Sequence, residues 1–173
     1  MSEPFRKNPS RPDREKLHYS ICAQFLFMHV ACLLAIWTGV SAVAASVCLA
    51  LYVVRMFAIT AGFHRLFAHR TYKTGRLFQF LMAFVGTASY QKGPLWWASH
   101  HRRHHLYADT DQDLHSPITH TMWRSQVGWF LLRNSQTTEW KLIPNLMKYR
   151  ELHWLDRYYS VPPILLAASM FLL

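Results

Sequence analysis

Apolar residues in this chain come in long blocks separated by polar, histidine-rich stretches. Between Ser20 and Ala61 the only formally charged side chain is Arg55. A straight helix of about 40 residues would be about 60 Å long, roughly twice the hydrocarbon core of a bilayer. The block therefore predicts two spans folded as a hairpin. The first runs over about 20–37 and the second over about 42–60, with the reversal at Thr38-Gly39-Val40-Ser41. A cleaved secretory leader fits poorly, because the block is too long and shows no small-residue cleavage site.

The pattern then changes. AGFHRLFAHRTYKTG is charged and belongs at the membrane surface, whereas RLFQFLMAFVGTASY is apolar but too short to cross alone. It predicts a helix lying on the membrane or dipping into it. Gly93-Pro94 ends that run and opens a histidine-rich element. SQVGWFLLRN reads as a short amphipathic piece and NLMKYRELHWLDRYY as an interfacial helix. SVPPILLAASMFLL looks like the start of a further span. The predicted organisation is a flexible basic tail (1–17), a transmembrane helical hairpin (20–61), a histidine-bearing region with interfacial helices (62–158) and a last apolar segment (161–173). The fold class is all-α, an integral membrane helical protein.

Charge orients this arrangement. Five of the 19 Lys and Arg residues precede Ser20, one is Arg55, and the rest follow Ala61. Both flanks of the hairpin thus read as cytoplasmic under the positive-inside rule, with only the short turn on the far side. Arg55, near the inner end of the second span, can snorkel to the headgroups. The formal charge of +10 then reflects topology and attraction to anionic lipid. A nucleic-acid site would call for a Lys/Arg stripe with exposed aromatic platforms, and no nucleic-acid partner is expected. Cys22, Cys32 and Cys48 all fall in the hairpin without metal-binding spacing and read as reduced, membrane-buried thiols.

The 11 histidines carry the chemistry. In His101-Arg102-Arg103-His104-His105, helical geometry brings His101, His104 and His105 to one side. His64 and His69, five apart, lie about 140° apart on an ideal helix. They can enclose the same pocket from a helix end without forming a one-face pair. Neutral imidazole suits iron, zinc, copper and nickel, and five histidines exceed the need of one four-coordinate zinc. A bimetallic centre is the economical reading. No H-E-x-x-H, C-x-x-C-H or G-x-G-x-x-G occurs, which removes zinc proteases, attached haem and dinucleotide sites. His100 should turn away from the cluster by about 100°. His29 reads as a satisfied buried histidine, His18, His120 and His153 as surface or interfacial residues, and His115 as a support residue. Asp109, Asp111 and Asp113 lack the Gly and Glu of a calcium loop. They suit hydrogen-bond acceptors for metal-bound imidazoles, and spacing alone does not choose among them.

HRLFAHRTYKTGR, followed about thirty residues later by WWASHHRRHHLYADTDQDLHSP, resembles the membrane-bound acyl-CoA desaturases of the stearoyl-CoA, delta-9 type. QVGWFLLR is similar to the segment that follows the second histidine box there. The resemblance covers roughly residues 20–173 and implies a partial fatty acid desaturase domain. It implies an iron pair held by three histidine boxes on the cytoplasmic face of a four-helix membrane domain. By similarity His64, His69, His101, His104 and His105 are iron ligands, and His115, Asp109 and Asp113 stand behind them. Trp97 lines the substrate path, and Arg133 holds the polar end of the acyl carrier. The implied reaction puts a cis double bond into a long-chain acyl-CoA, using O₂ and electrons from a cytochrome b5 or ferredoxin-type donor, with membrane lipid around the enzyme. A third box of H-x-x-H-H type has no counterpart here, so the expectation is an N-terminal part of such an enzyme with little or no turnover alone. A non-catalytic membrane fragment stays open as an alternative. So does a related histidine-box hydroxylase, although its first box has three spacer residues where His64 and His69 have four.

Overall fold

The structure, a computed structural model, describes residues 16–172; most of the expected flexible tail (1–15) lies outside the described residues. Helix α1 spans Tyr19–Thr38 and α2 spans Ala42–Phe57, which continues without a break as a π-helix over Ala58–Ala68. The 20-residue α1 and the 27-residue Ala42–Ala68 rod are both long and apolar enough to cross a membrane. Between them Gly39 takes φ 74°, a conformation that suits glycine. The Ser41 hydroxyl then caps α2 by accepting the Ala44 amide at 3.1 Å. The reversal thus falls where the polar break predicts it.

No residue of α1 or of α2 is buried within the protein. Trp37 and Ile36 are 92% and 82% exposed. Side chains of this kind are stable in hydrocarbon and costly in water. His29 is exposed as well, contrary to the buried histidine expected. Its ring Nδ1 lies 2.8 Å from the Phe25 carbonyl one turn back, so its own helix satisfies it.

The remaining helices are α3 (Arg76–Thr87), α4 (Pro94–Tyr107), α5 (Met122–Gln126), α6 (Arg150–Arg157) and α7 (Val161–Phe171). Short 3₁₀ turns join α5 to α6. SQVGWFLLRN becomes the end of α5 plus a 3₁₀ turn over Gly128–Leu131, and NLMKYRELHWLDRYY condenses to the eight-residue α6. The π-helix, α4 and α6 enclose one core of Phe63, Phe67, Leu95, Ala98, Ile143, Leu152 and Leu155. Arg76 of α3 grips Glu151 of α6 through two hydrogen bonds of 2.7 Å. Near α1 the backbone of 16–18 pairs antiparallel with 131–133: His18 N–H donates to Leu131 O and Arg133 N–H to Lys16 O. The start of α1 and the histidine region therefore share one end of the molecule, as two flanks on one side of a membrane require.

Candidate metal centre

Two residues five apart on an α-helix diverge, yet His64 and His69 meet. The π winding is the reason. Its hydrogen bonds run from i to i+5, and the His69 amide donates to the His64 carbonyl at 2.9 Å. Residues five apart then stand one above the other, with the two Nε2 atoms 3.1 Å apart. This corrects the expectation of a pair splayed by about 140°. Donors from outside the ladder hold the wide winding. The Tyr72 hydroxyl donates to Ala61 O at 2.7 Å, and Arg102 donates to Phe67 O at 2.6 Å and Ala68 O at 2.9 Å.

Helix α4 brings the second set. Its first turn is fixed by Asp156 of α6, whose Oδ1 accepts the amides of Leu95 and Trp96 at 3.0 and 2.8 Å. Burial raises the Asp156 pKa above the usual carboxylate range, an effect those amides and the Thr138 hydroxyl partly offset. Gly93 precedes the helix because a Cβ there would stand 2.4 Å from the Asp156 Cα. Two turns on, His101 Nε2 lies 3.0 Å from both His69 Nε2 and His105 Nε2. The ligand atoms of His64, His69, His101 and His105 all lie within 4.8 Å of one another.

A ring nitrogen carries either one proton or one lone pair in line with the ring. Three successive contacts along a chain of four such nitrogens cannot all be simple hydrogen bonds. A cation at their common focus would use all four lone pairs, so the donor set fits a metal that favours imidazole. Charge state agrees. Burial, then the neighbouring imidazoles, push His101 down to about 3, and His69 is lowered for the same reasons. Both rings are neutral near pH 7, as ligands must be.

His104 does not join this group. Its Nδ1 lies 2.9 Å from Asp113 Oδ2, and its ring stacks on His115 with centroids 4.3 Å apart. His104, Asp113 and His115 make a second convergent set, adjacent to the first through the 5.6 Å spacing of the His104 and His105 rings. On the helix, His101 and His105 share a face and His104 points around it, so the three rings do not serve one focus. Among the aspartates, Asp113 is the one that meets an imidazole. It is buried, which alone would raise its pKa. The amides of His115 and Asp109 and the nearby imidazoles outweigh this and hold it below the usual range. Asp109 instead accepts the Ser116 hydroxyl at 2.6 Å, and Asp111 is exposed. His100 turns into the protein, packs against Trp96 with the rings tilted by 43° and approaches Thr137 O at 3.1 Å, with burial pushing it down to about 4.

A cavity of about 690 Å³ opens beside the first set. His101 and His115 line it, with Trp96, Trp97 and Trp129 on its walls and Ile21, Phe25 and Met28 of α1 across from them. Trp97 stacks on His101 with ring centroids 4.8 Å apart and lines the cavity. Arg133 lies elsewhere, in a shallow recess with His18, Tyr19, Ser20 and Gln136, and donates to Leu17 O. Sequence reasoning missed Arg102. Its fork reaches Leu142 O and Asn145 Oδ1 (2.7 Å each) besides the π-helix carbonyls, and only its place inside the box hinted at a role.

The family model for fatty acid desaturases matches residues 40–173. The chain belongs to the fatty acid desaturase family. It is 34% identical over 149 residues to an acyl-CoA C20 delta5-desaturase of Anemone leveillei, covering 84% of this chain and 47% of that protein. An sn-1 stearoyl-lipid 9-desaturase of Anabaena variabilis is 38% identical over 109 residues, 62% of this chain and 40% of the relative. An acyl-CoA delta-9 desaturase of Acheta domesticus is 32% identical over 136 residues, 77% and 38% respectively. This desaturase chain thus spans about half the length of the curated relatives it matches. The substrates and double-bond positions in these relatives' names differ, so family membership does not by itself assign either.

Proposed function

We propose that the chain supplies the first histidine sets and one wall of the acyl site of an iron- and O₂-dependent membrane desaturase. His64, His69, His101 and His105 would hold one iron. His104, its ring oriented by Asp113 and His115, would serve a second iron that needs further ligands from outside the two described sets. The observation that carries the reading is the convergence of four ring nitrogens beside an apolar cavity that His101 itself lines.

Iron and O₂ supply the oxidising power that an unactivated methylene requires, since no acid–base side chain can begin that reaction. The net change is a CH₂–CH₂ unit, O₂, two electrons and two protons going to a cis CH=CH unit and two waters. The chain's own part is placement. Trp97, held flat against His101, and Trp129 confine the acyl chain so that one carbon pair faces the histidines. The substrate of this reading is a long-chain acyl-CoA with delta-9 placement, and the electrons come from a cytochrome b5 or ferredoxin-type donor. The histidine end faces the cytoplasm, where the basic flanks of the hairpin keep it.

Metal analysis of single variants tests the partition. His69→Ala should abolish the tight iron(II) or cobalt(II) site of the purified chain, whereas His104→Ala should leave it. Equal loss in both would overturn the two-set reading.

A further inference from the structure

The loop from α4 to α5 carries Asp113, the carboxylate that meets His104, yet has little packing of its own. Residues 108–112 are exposed, whereas Asp113 is 1% exposed. Its Oδ1 accepts the His115 amide at 3.1 Å, and Oδ2 accepts the Asp109 amide at 3.3 Å besides facing His104 Nδ1. Two donors from outside that turn hold the backbone on either side of it. Arg103, next to His104 on α4, donates from Nε and Nη2 to the Gln112 carbonyl at 3.4 and 3.2 Å, while its Nη1 meets a Glu139 carboxylate oxygen. Glu139 is tied to the same face of α4, its amide donating to Ser99 Oγ one turn before Arg103. His120, read from the sequence as a surface or interfacial residue, is half-buried and approaches the Asp113 carbonyl with Nε2 at 3.0 Å. A carbonyl only accepts, so His120 Nε2 carries the proton.

An exposed polar loop is ordered by its hydrogen bonds rather than by burial. Here two successive carbonyls, those of Gln112 and Asp113, flank the Asp113 Cα, and each is held by a different side chain. Helix α4 thus grips the loop twice within one turn, with the His104 ring on the carboxylate and the Arg103 fork on the carbonyl just before it. We propose that Arg103 and His120 are positioning residues for the second histidine set: by fixing those two carbonyls they set the Asp113 carboxylate against His104 Nδ1 and leave the His104 Nε2 lone pair free for a metal. The effect works through the tautomer. Both Asp113 oxygens already accept backbone amides, so the proton shared with His104 belongs to the ring nitrogen. Which ring nitrogen is protonated is decided by the hydrogen bond that the other makes. An imidazole without such a partner carries its proton mainly on Nε2, where it blocks coordination. The inference rests on the two-set reading of the centre and deepens it by naming what holds the second set in register.

Long-range proton–nitrogen correlation spectra of the full chain, isotope-labelled at histidine and kept metal-free in detergent, read the tautomer without turnover. They are taken at about pH 8, where an ordinary imidazole is neutral, and His104→Gln identifies the His104 signals by their loss. In the wild type His104 should show the Nδ1–H pattern. The double variant Arg103→Met, His120→Leu should replace it with the Nε2–H pattern. His120→Gln, which offers an amide N–H at similar reach, should retain the wild-type pattern. Cobalt(II) affinity at His64, His69, His101 and His105 should stay within about twofold in the double variant, because the two sets use different ligands. An Nδ1–H pattern that persists in the double variant overturns the positioning role and leaves the two-set reading intact. A larger loss of cobalt(II) affinity also overturns it, since the two residues would then support the fold at large. Loss of the pattern in His120→Gln overturns the part given to His120. An Nε2–H pattern already present in the wild type overturns the contact between Asp113 and His104, and with it the two-set reading.

Discussion

Arg102 stands next to His101 in sequence and reaches the backbone beside His69 in space. Four hydrogen bonds of 2.6–2.9 Å tie its fork to Phe67 O, Ala68 O, Leu142 O and Asn145 Oδ1. Burial, and to a lesser degree Arg70, lower it to about 10, still charged at neutral pH. A lysine keeps the charge but not the planar fork. Arg102→Lys should therefore weaken cobalt(II) binding about 10- to 100-fold, the range seen when groups supporting metal ligands are lost. Titration of the cobalt absorption bands reads this, and an unchanged affinity would remove Arg102 from the site. His100 gives a separate signature. Its folded pKa of about 4 lies below the unfolded value near 6.5, so the unfolded chain takes up the proton first as pH falls. The stability it contributes is complete above about pH 6.5 and is lost on the way down to about pH 4, by up to roughly 3 kcal/mol. Unfolding in detergent between pH 7 and 4 should show a shallower decline in His100→Gln than in the wild type.

Between elements, the histidine-bearing winding leans on α3 at a point where no side chain fits. A Cβ on Gly86 would lie 2.5 Å from Phe63 Cε1 and 2.8 Å from Cδ1. Phe63 is fully buried and immediately precedes His64. Gly86→Ala should cost about 1–3 kcal/mol by overpacking, which lowers Tm by about 2–4 °C for each kcal/mol in a chain of this size. It should also weaken metal binding through His64, whereas an unaltered Tm would mean that α3 yields freely. The elements themselves were legible where hydropathy and punctuation agree. The reversal at Gly39 and Pro94 at the head of α4 stand where the sequence puts them. The π winding was not legible, because a spacing of five says nothing unless the helix type is known. Nor could spacing separate His104 from His101 and His105. That division depends on Asp113, delivered by a loop whose path the pattern does not encode.

For the molecule as a whole, the exposed flanks of α1 and α2 and the pairing of residues 16–18 with 131–133 agree with a hairpin inserted from one side. Alkaline carbonate should leave the expressed chain in the membrane pellet, and release into the supernatant would contradict insertion. Purified alone, the chain should bind metal at the four-histidine set and show little or no acyl desaturation. Co-expression with the remaining half of a related desaturase should restore turnover, and robust activity without it would refute the need for outside ligands. The sequence made the family visible through HRLFAH and HHRRHH, since those spacings are rare.

The wide winding over Ala58–Ala68 has a consequence for how this gene can vary. Between His64 and His69 the count of residues matters more than their kind, because i-to-i+5 bonding tolerates a change of side chain but not of register. A single-codon deletion or insertion there would swing one imidazole away from the focus while leaving every other ligand in place. Natural variation in this stretch should accordingly run to missense changes and spare indels.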